Sequence, residues 1–216
     1  LYFQANDGTN GAELWKSDGT ESGTVMVKNI RSGIGSTDLD HFTAVGNTLY
    51  FQANDGTNGA ELWKSDGTAS GTVMVKDINS GAGSSLVYLT AVGNTLYFRA
   101  DDGTNGVELW KSDGTESGTV MVKNIRSGIG STDLDHFTAV GNTLYFQAND
   151  GTNGAELWKS DGTASGTVMV KDINSGAGSS LVYLTAVGNT LYFRADDGTN
   201  GVELWKSDGT ESGTVM

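Results

Sequence analysis

Residues 48–55, TLYFQAND, alternate in character. Leu49, Phe51 and Ala53 fall on one side of an extended chain, and Tyr50 and Gln52 on the other. A period of two is the mark of a half-buried β-strand. GTNG (56–59) follows as a turn. AELWKSD (60–66) is a further extended run that ends at Asp66-Gly67, and TVMVKDI (72–78) is another. A short apolar run, FTAVG (42–46), precedes them and ends at Gly46-Asn47. Asp-Gly and Gly-Asn between apolar runs mark tight hairpins. No window of ten or more residues carries a helical period, so the pattern predicts antiparallel β-structure throughout.

The pattern repeats. LYF starts at Leu1, Leu49, Leu96, Leu144 and Leu191, so the spacing alternates between 48 and 47. ELWKSDGT starts at Glu13, Glu61, Glu108, Glu156 and Glu203. From Glu13 onward the chain is identical to itself at a shift of 95; ahead of it only Gln4, Asn6 and Ala12 differ from Arg99, Asp101 and Val107. Four short strands recurring every 40–50 residues or so are the signature of a propeller blade. The expected fold is all-β, a β-propeller of four-stranded antiparallel blades with about 4.5–5 blades in one array over residues 1–216. The repeat units run 1–48, 49–95, 96–143, 144–190 and, in part, 191–216.

Within a blade FTAVG is the expected inner strand and TVMVKDI the outer one. Neighbouring blades must cover each other's faces, so Trp15, Trp63, Trp110, Trp158 and Trp205 are expected core residues, with Phe51 and Val73 beside Trp63. Asp18, Asp66, Asp113, Asp161 and Asp208 are expected turn residues, because an Asp can accept from its own downstream backbone while the next Gly takes positive φ. The octapeptide therefore reads as a structural element needed once per blade. The strand count is uneven: inner strands are expected only at Phe42, Leu89, Phe137 and Leu184, and the last outer strand stops at Met216. The remedies are a ring with one defective blade, a homo-oligomer in which two chains complete a ring, or a longer chain of which these residues are a part.

Composition narrows the partners. The formal charge is −13, and only 13 of 216 residues are Lys or Arg. Such a surface does not suit nucleic acid, whose binding rests on clustered cations. It disfavours anionic membranes too, and no apolar run is long enough for a spanning helix. The absence of cysteine excludes disulfides and thiolate metal sites. Thirty-two glycines go with many turns, while the absence of proline in a turn-rich chain points to copying of one or two proline-free units.

The run ELWKSDGTxxGT, followed by V-x-K-D/N-I, a Gly/Ser connector, L/F-T-A-V-G-N, LYF and DGTNG-x-ELW, resembles the ELWxxDGT repeats of bacterial surface and secreted proteins. The resemblance covers the whole chain. It implies a β-propeller and an extracellular or cell-surface location. Serines (Ser32, Ser80) stand where that family's connector carries prolines. With the near-identity of the copies, this departure points to a recently amplified or designed symmetric array.

Candidate chemistry is sparse. STDLDH, at 36–41 and 131–136, gathers Asp38, Asp40 and His41, and again Asp133, Asp135 and His136, as weak candidate metal ligands. The competing reading is a polar connector entering the inner strand. Asn6-Asp7 and Asp101-Asp102 before GTNG resemble pieces of calcium loops but lack the ligand spacing, which leaves calcium a weak expectation and an Asx turn the stronger one. The connectors and the GTNG loops are expected at one end of the array, the binding face expected by fold analogy. Tyr88 and Tyr183 are the best candidates for exposed rings that could meet carbohydrate, against the alternative that they pack beneath the connector. Identical turns in every blade argue against an active site, which needs unlike groups converging on one point. The expectation is a non-catalytic structural or interaction module, with a carbohydrate- or surface-binding adhesion module as the alternative. No catalytic residue and no cofactor is expected.

Overall fold

The computed structural model describes residues 1–128 and 132–216, and these fold as strands and turns with no helix. The first sheet holds β1 (Tyr2–Asn6), β2 (Ala12–Lys16) and β3 (Val25–Lys28). The second holds β4 (Asp40–Val45), β5 (Thr48–Asn54), β6 (Ala60–Ser65) and β7 (Val73–Lys76). The third holds β8 (Val87–Val92), β9 (Thr95–Asp101), β10 (Val107–Ser112) and β11 (Val120–Lys123). The fourth holds β12 (Asp135–Val140), β13 (Thr143–Asn149), β14 (Ala155–Ser160) and β15 (Val168–Lys171). The fifth holds β16 (Val182–Val187), β17 (Thr190–Asp196) and β18 (Val202–Ser207).

Every sheet is an antiparallel meander whose strands pair in chain order. Among the described residues only the three middle sheets have four strands. The first lacks an inner strand, and the fifth has, in place of an outer strand, a single bridge between Lys206 and Val215. The second sheet spans Asp40 to Lys76.

Inner strands lie beside one another in chain order, β4 by β8, β8 by β12 and β12 by β16. Thr43 Oγ1 donates to the Leu89 carbonyl at 3.0 Å, and Thr138 Oγ1 to the Leu184 carbonyl at 3.2 Å. Facing sheets then bury apolar side chains between them. Leu14 and Val27 of the first sheet meet Phe51, Ala53 and Trp63 of the second. Tyr50, Leu62 and Val75 of the second meet Phe98, Ala100 and Trp110 of the third. The same set recurs between third and fourth, and between fourth and fifth.

Register decides which residues face inward. In the second sheet Phe51 pairs with Trp63, so both present one face, while Tyr50 pairs with Lys64 on the other. The β6–β7 register slips between Leu62 and Trp63, so that Leu62 pairs with Lys76 and Trp63 with Met74. Val75 reaches the core, and Val73, expected there, is only half-buried.

Candidate functional site

The Ser-Asp-Gly-Thr turn is held from within its own blade. Asp66 Oδ1 accepts from the Thr68 N–H (2.9 Å) and hydroxyl (2.7 Å). Thr68 Oγ1 accepts from the Gly71 N–H at 3.0 Å, and Thr72 Oγ1 donates to the Thr68 carbonyl at 2.7 Å. Ser65 Oγ accepts from the Gly67 N–H at 3.0 Å and bonds the Thr72 hydroxyl at 2.7 Å. Asp18, Asp113, Asp161 and Asp208 make the same bonds in their own turns. These bonds favour the ionised form, so the carboxyls of Asp66 and its four counterparts lie below their ordinary range.

The turn is also gripped from outside, by the preceding blade. Lys64 Nζ donates to the Gly114 carbonyl at 2.8 Å, and Lys76 Nζ to the Thr119 carbonyl at 3.0 Å. Lys16, Lys111 and Lys159 hold Gly67, Gly162 and Gly209 in the same way. The phenol of the same blade lies over that glycine. Gly114 has φ +87°, and a Cβ on it would run into Tyr50 Oη. Tyr2, Tyr97 and Tyr145 stand likewise over Gly67, Gly162 and Gly209. Each of these four turns is thus a latch between two blades.

Trp63, Trp110, Trp158 and Trp205 are buried in these interfaces, whereas Trp15 is half-buried because no sheet covers its face. Their indole N–H groups find no acceptor among the described residues, so these side chains act by packing. The glutamate two residues earlier shares the tryptophan's face; Glu13, Glu61, Glu108 and Glu156 are fully buried, and Glu203, on the fifth sheet, is exposed. Glu61 Oε2 accepts from the Ile78 N–H at 3.0 Å, and Glu108 Oε2 from the Ile125 N–H at 2.9 Å. Burial outweighs those bonds and pushes both carboxyls up to about 7. Glu13 and Glu156 are raised for the same reason. Neither these glutamates nor the latch lysines were marked by sequence reasoning. The available signal was the glutamate's position two residues from the tryptophan, on the inward side of a strand.

The STDLDH residues lie where the connector enters the inner strand. Asp38 and His41 adopt φ of 49° and 58°, as do Asp133 and His136 at 48° and 58°. In the alternate unit Ser85, Tyr88, Ser180 and Tyr183 take the same left-handed positions, so two unlike sequences follow one bulged path. Asp40 and His41 approach within 3.9 Å, and Asp135 and His136 within 3.6 Å. These are pairs: among the described residues no three His, Cys, Asp or Glu side chains are grouped to hold an ion. Asp133 accepts from Asn149 Nδ2 at 3.0 Å; Ser131, which opens the second STDLDH copy, lies outside the described residues. In the GTNG loop Asp7 Oδ1 accepts from the Thr9 and Asn10 N–H groups at 2.9 and 2.8 Å, an Asx turn. Asp102 does the same toward Thr104 and Asn105.

Connector and GTNG loop do share one end. Thr37 N–H donates to the Ala12 carbonyl, and Asn54 N–H to the Thr37 carbonyl. Tyr88 and Tyr183 are exposed on the inner strands, Tyr183 the more so. The Tyr88 ring lies 5.6 Å from that of Phe137, and the Arg194 guanidinium sits 5.8 Å over the Tyr183 ring.

No family model matches the chain, and no curated protein sequence matches it significantly. Solved structures do. A puromycin hydrolase superposes with a TM-score of 0.59 at 12% identity, over 95% of this chain and 33% of its own. A chain from a study of two prolyl endopeptidases gives 0.58 at 13% identity, over 96% of this chain and 31% of its own. A puromycin-hydrolyzing peptidase of Mycobacterium tuberculosis gives 0.55 at 11%, over 95% and 32%. The fold is propeller-like. The chain spans about a third of the length of the solved chains it matches, and at these identities the likeness is one of fold alone.

Proposed function

We propose that the chain is a non-catalytic scaffold, a β-propeller of about 4.5–5 blades that acts through its blade faces and self-associates to complete a ring. The supporting observation is that each blade latches the next by one repeated set of contacts, while the outward faces of the first and fifth sheets carry the same residues without cover. Catalysis has no comparable support: among the described residues each histidine pairs with a neighbouring aspartate alone, and the turn carboxylates accept from backbone N–H groups. The test is absolute mass by light scattering across a concentration series, with and without calcium. A mass that rises above the one-chain value of 22.6 kDa agrees with the proposal. A constant one-chain mass ends it.

A second reading, a carbohydrate- or surface-binding adhesion module, is favoured by the exposed Tyr88 and Tyr183 on the inner rim, with His136 and Arg194 close to Tyr183. Aromatic faces beside polar groups suit sugar rings. Titration against a glycan panel should then show weak binding that Tyr183→Ala removes. No binding to any glycan in the panel would reject it.

A further inference from the structure

The two uncovered faces are halves of an interface that the chain already contains. Residues 1–20 repeat residues 144–163 letter for letter, and residues 191–207 repeat residues 96–112. The first sheet is therefore a copy of the second-strand and third-strand part of the fourth sheet, and the fifth is a copy of the third. Third and fourth sheets meet face to face. Val92, Tyr97 and Leu109 pack there against Leu144, Phe146, Ala148 and Trp158. Lys111 holds the Gly162 carbonyl, and Tyr97 Oη covers Gly162.

The equivalents at the two ends are open. Val187 is 59% exposed and Leu204 66%, where Val92 and Leu109 are buried. A cleft of about 360 Å³ lies along Tyr183, Tyr192, Val202 and Leu204. Lys206 Nζ has no hydrogen-bond partner among the described residues. On the first sheet Leu1 is 86% exposed, and Phe3 and Trp15 are half-exposed. Gly19 has φ +95° with nothing near its missing Cβ, unlike the four later turn glycines beneath a tyrosine. The chain's own first sheet is thus not seated on its fifth.

We propose that the fifth sheet docks head-to-tail on the first sheet of a second copy, with Tyr192 and Lys206 latching that copy's Ser17–Thr24 turn. The proposal rests on the self-association reading and names the surfaces that carry it. Charge agrees: Lys206 would meet a turn that holds Asp18 and Glu21. Seated there, Leu1, Phe3, Ala5 and Trp15 take the places of Leu144, Phe146, Ala148 and Trp158. Being heterologous, it can propagate or close.

The experiment pairs two variants of the full 216-residue chain, Leu204→Asp on the fifth sheet and Phe3→Asp on the first, with light scattering as readout and circular dichroism to confirm folding. Each variant alone should have the one-chain mass. An equimolar mixture should regain a two-chain species, because each variant keeps the end that the other has lost. The milder Lys206→Ala should raise the dissociation constant about tenfold without touching a buried residue. A wild-type oligomer that survives Leu204→Asp overturns this interface and leaves self-association standing. Disruption by Leu204→Asp but not by Phe3→Asp overturns the head-to-tail pairing. A wild-type chain that stays at one-chain mass overturns both.

Discussion

The glycine of the SDGT turn carries two separate constraints that the structure lets one measure apart. Gly19 and Gly114 both take positive φ, but only Gly114 lies under a tyrosine of the preceding blade. A left-handed alanine costs about 1–2 kcal/mol at either place. Gly114→Ala must in addition displace Tyr50, so its denaturant midpoint should fall clearly below that of Gly19→Ala. Equal midpoints would mean that the tyrosine contact contributes nothing. Trp63→Ala should cost about 3–5 kcal/mol, as truncation of a buried aromatic does, whereas Trp15→Ala, on an uncovered face, should cost less. The turn aspartates were legible in the sequence because their partners are two residues away. The lysines were not, since their acceptors lie about fifty residues downstream and no local pattern points to them.

Strands and turns form the next level. Hairpin signals located β5, β6 and their turns to within a residue or two, because alternation and Asp-Gly punctuation are local properties. The bulges were hidden. The β6–β7 register slips between Leu62 and Trp63, and the β4–β5 register slips between Asp40 and Thr43, around His41. Both depend on what the partner strand offers. The latch lysines act between sheets, so Lys111→Met, which keeps the aliphatic stem, should lose about 1.5–3 kcal/mol, the worth of a hydrogen bond to a charged donor. The loss should vanish in a Lys206→Met control at concentrations where the chain is monomeric. A matching loss in the control would place the effect inside the blade rather than between blades.

At the level of the whole molecule the buried glutamates set a pH dependence. Glu61 and Glu108 have folded pKa values of about 7 against an ordinary 4.5. The fold therefore favours their protonated forms. Between those values the folded state binds more protons than the unfolded one, so stability is greatest near and below pH 4.5 on their account and is lost as pH rises toward 7. The turn aspartates act in the opposite direction, with lowered pKa values and a contribution lost only in acid below about pH 4. Urea midpoints should accordingly decline from about pH 5 to pH 7.5. Glu61→Gln with Glu108→Gln should flatten that decline. An unchanged slope would assign it to general repulsion in a chain of charge −13.

Period, strand content and turn chemistry could be read from one dimension, because each depends on residues within a few positions of one another. Face-to-face stacking was implied as well, since a two-faced apolar sheet must be covered. Contacts across about fifty residues became visible only once the sheets were placed side by side: the lysine and tyrosine that close on the next turn, and the burial that raises the glutamates. The same placement separates chemically identical copies. Leu109 and Leu204 sit in the same seventeen-residue sequence, yet one is wholly buried and the other 66% exposed. Burial depends on the neighbour rather than on the residue, so a repeat cannot state which of its faces will be covered.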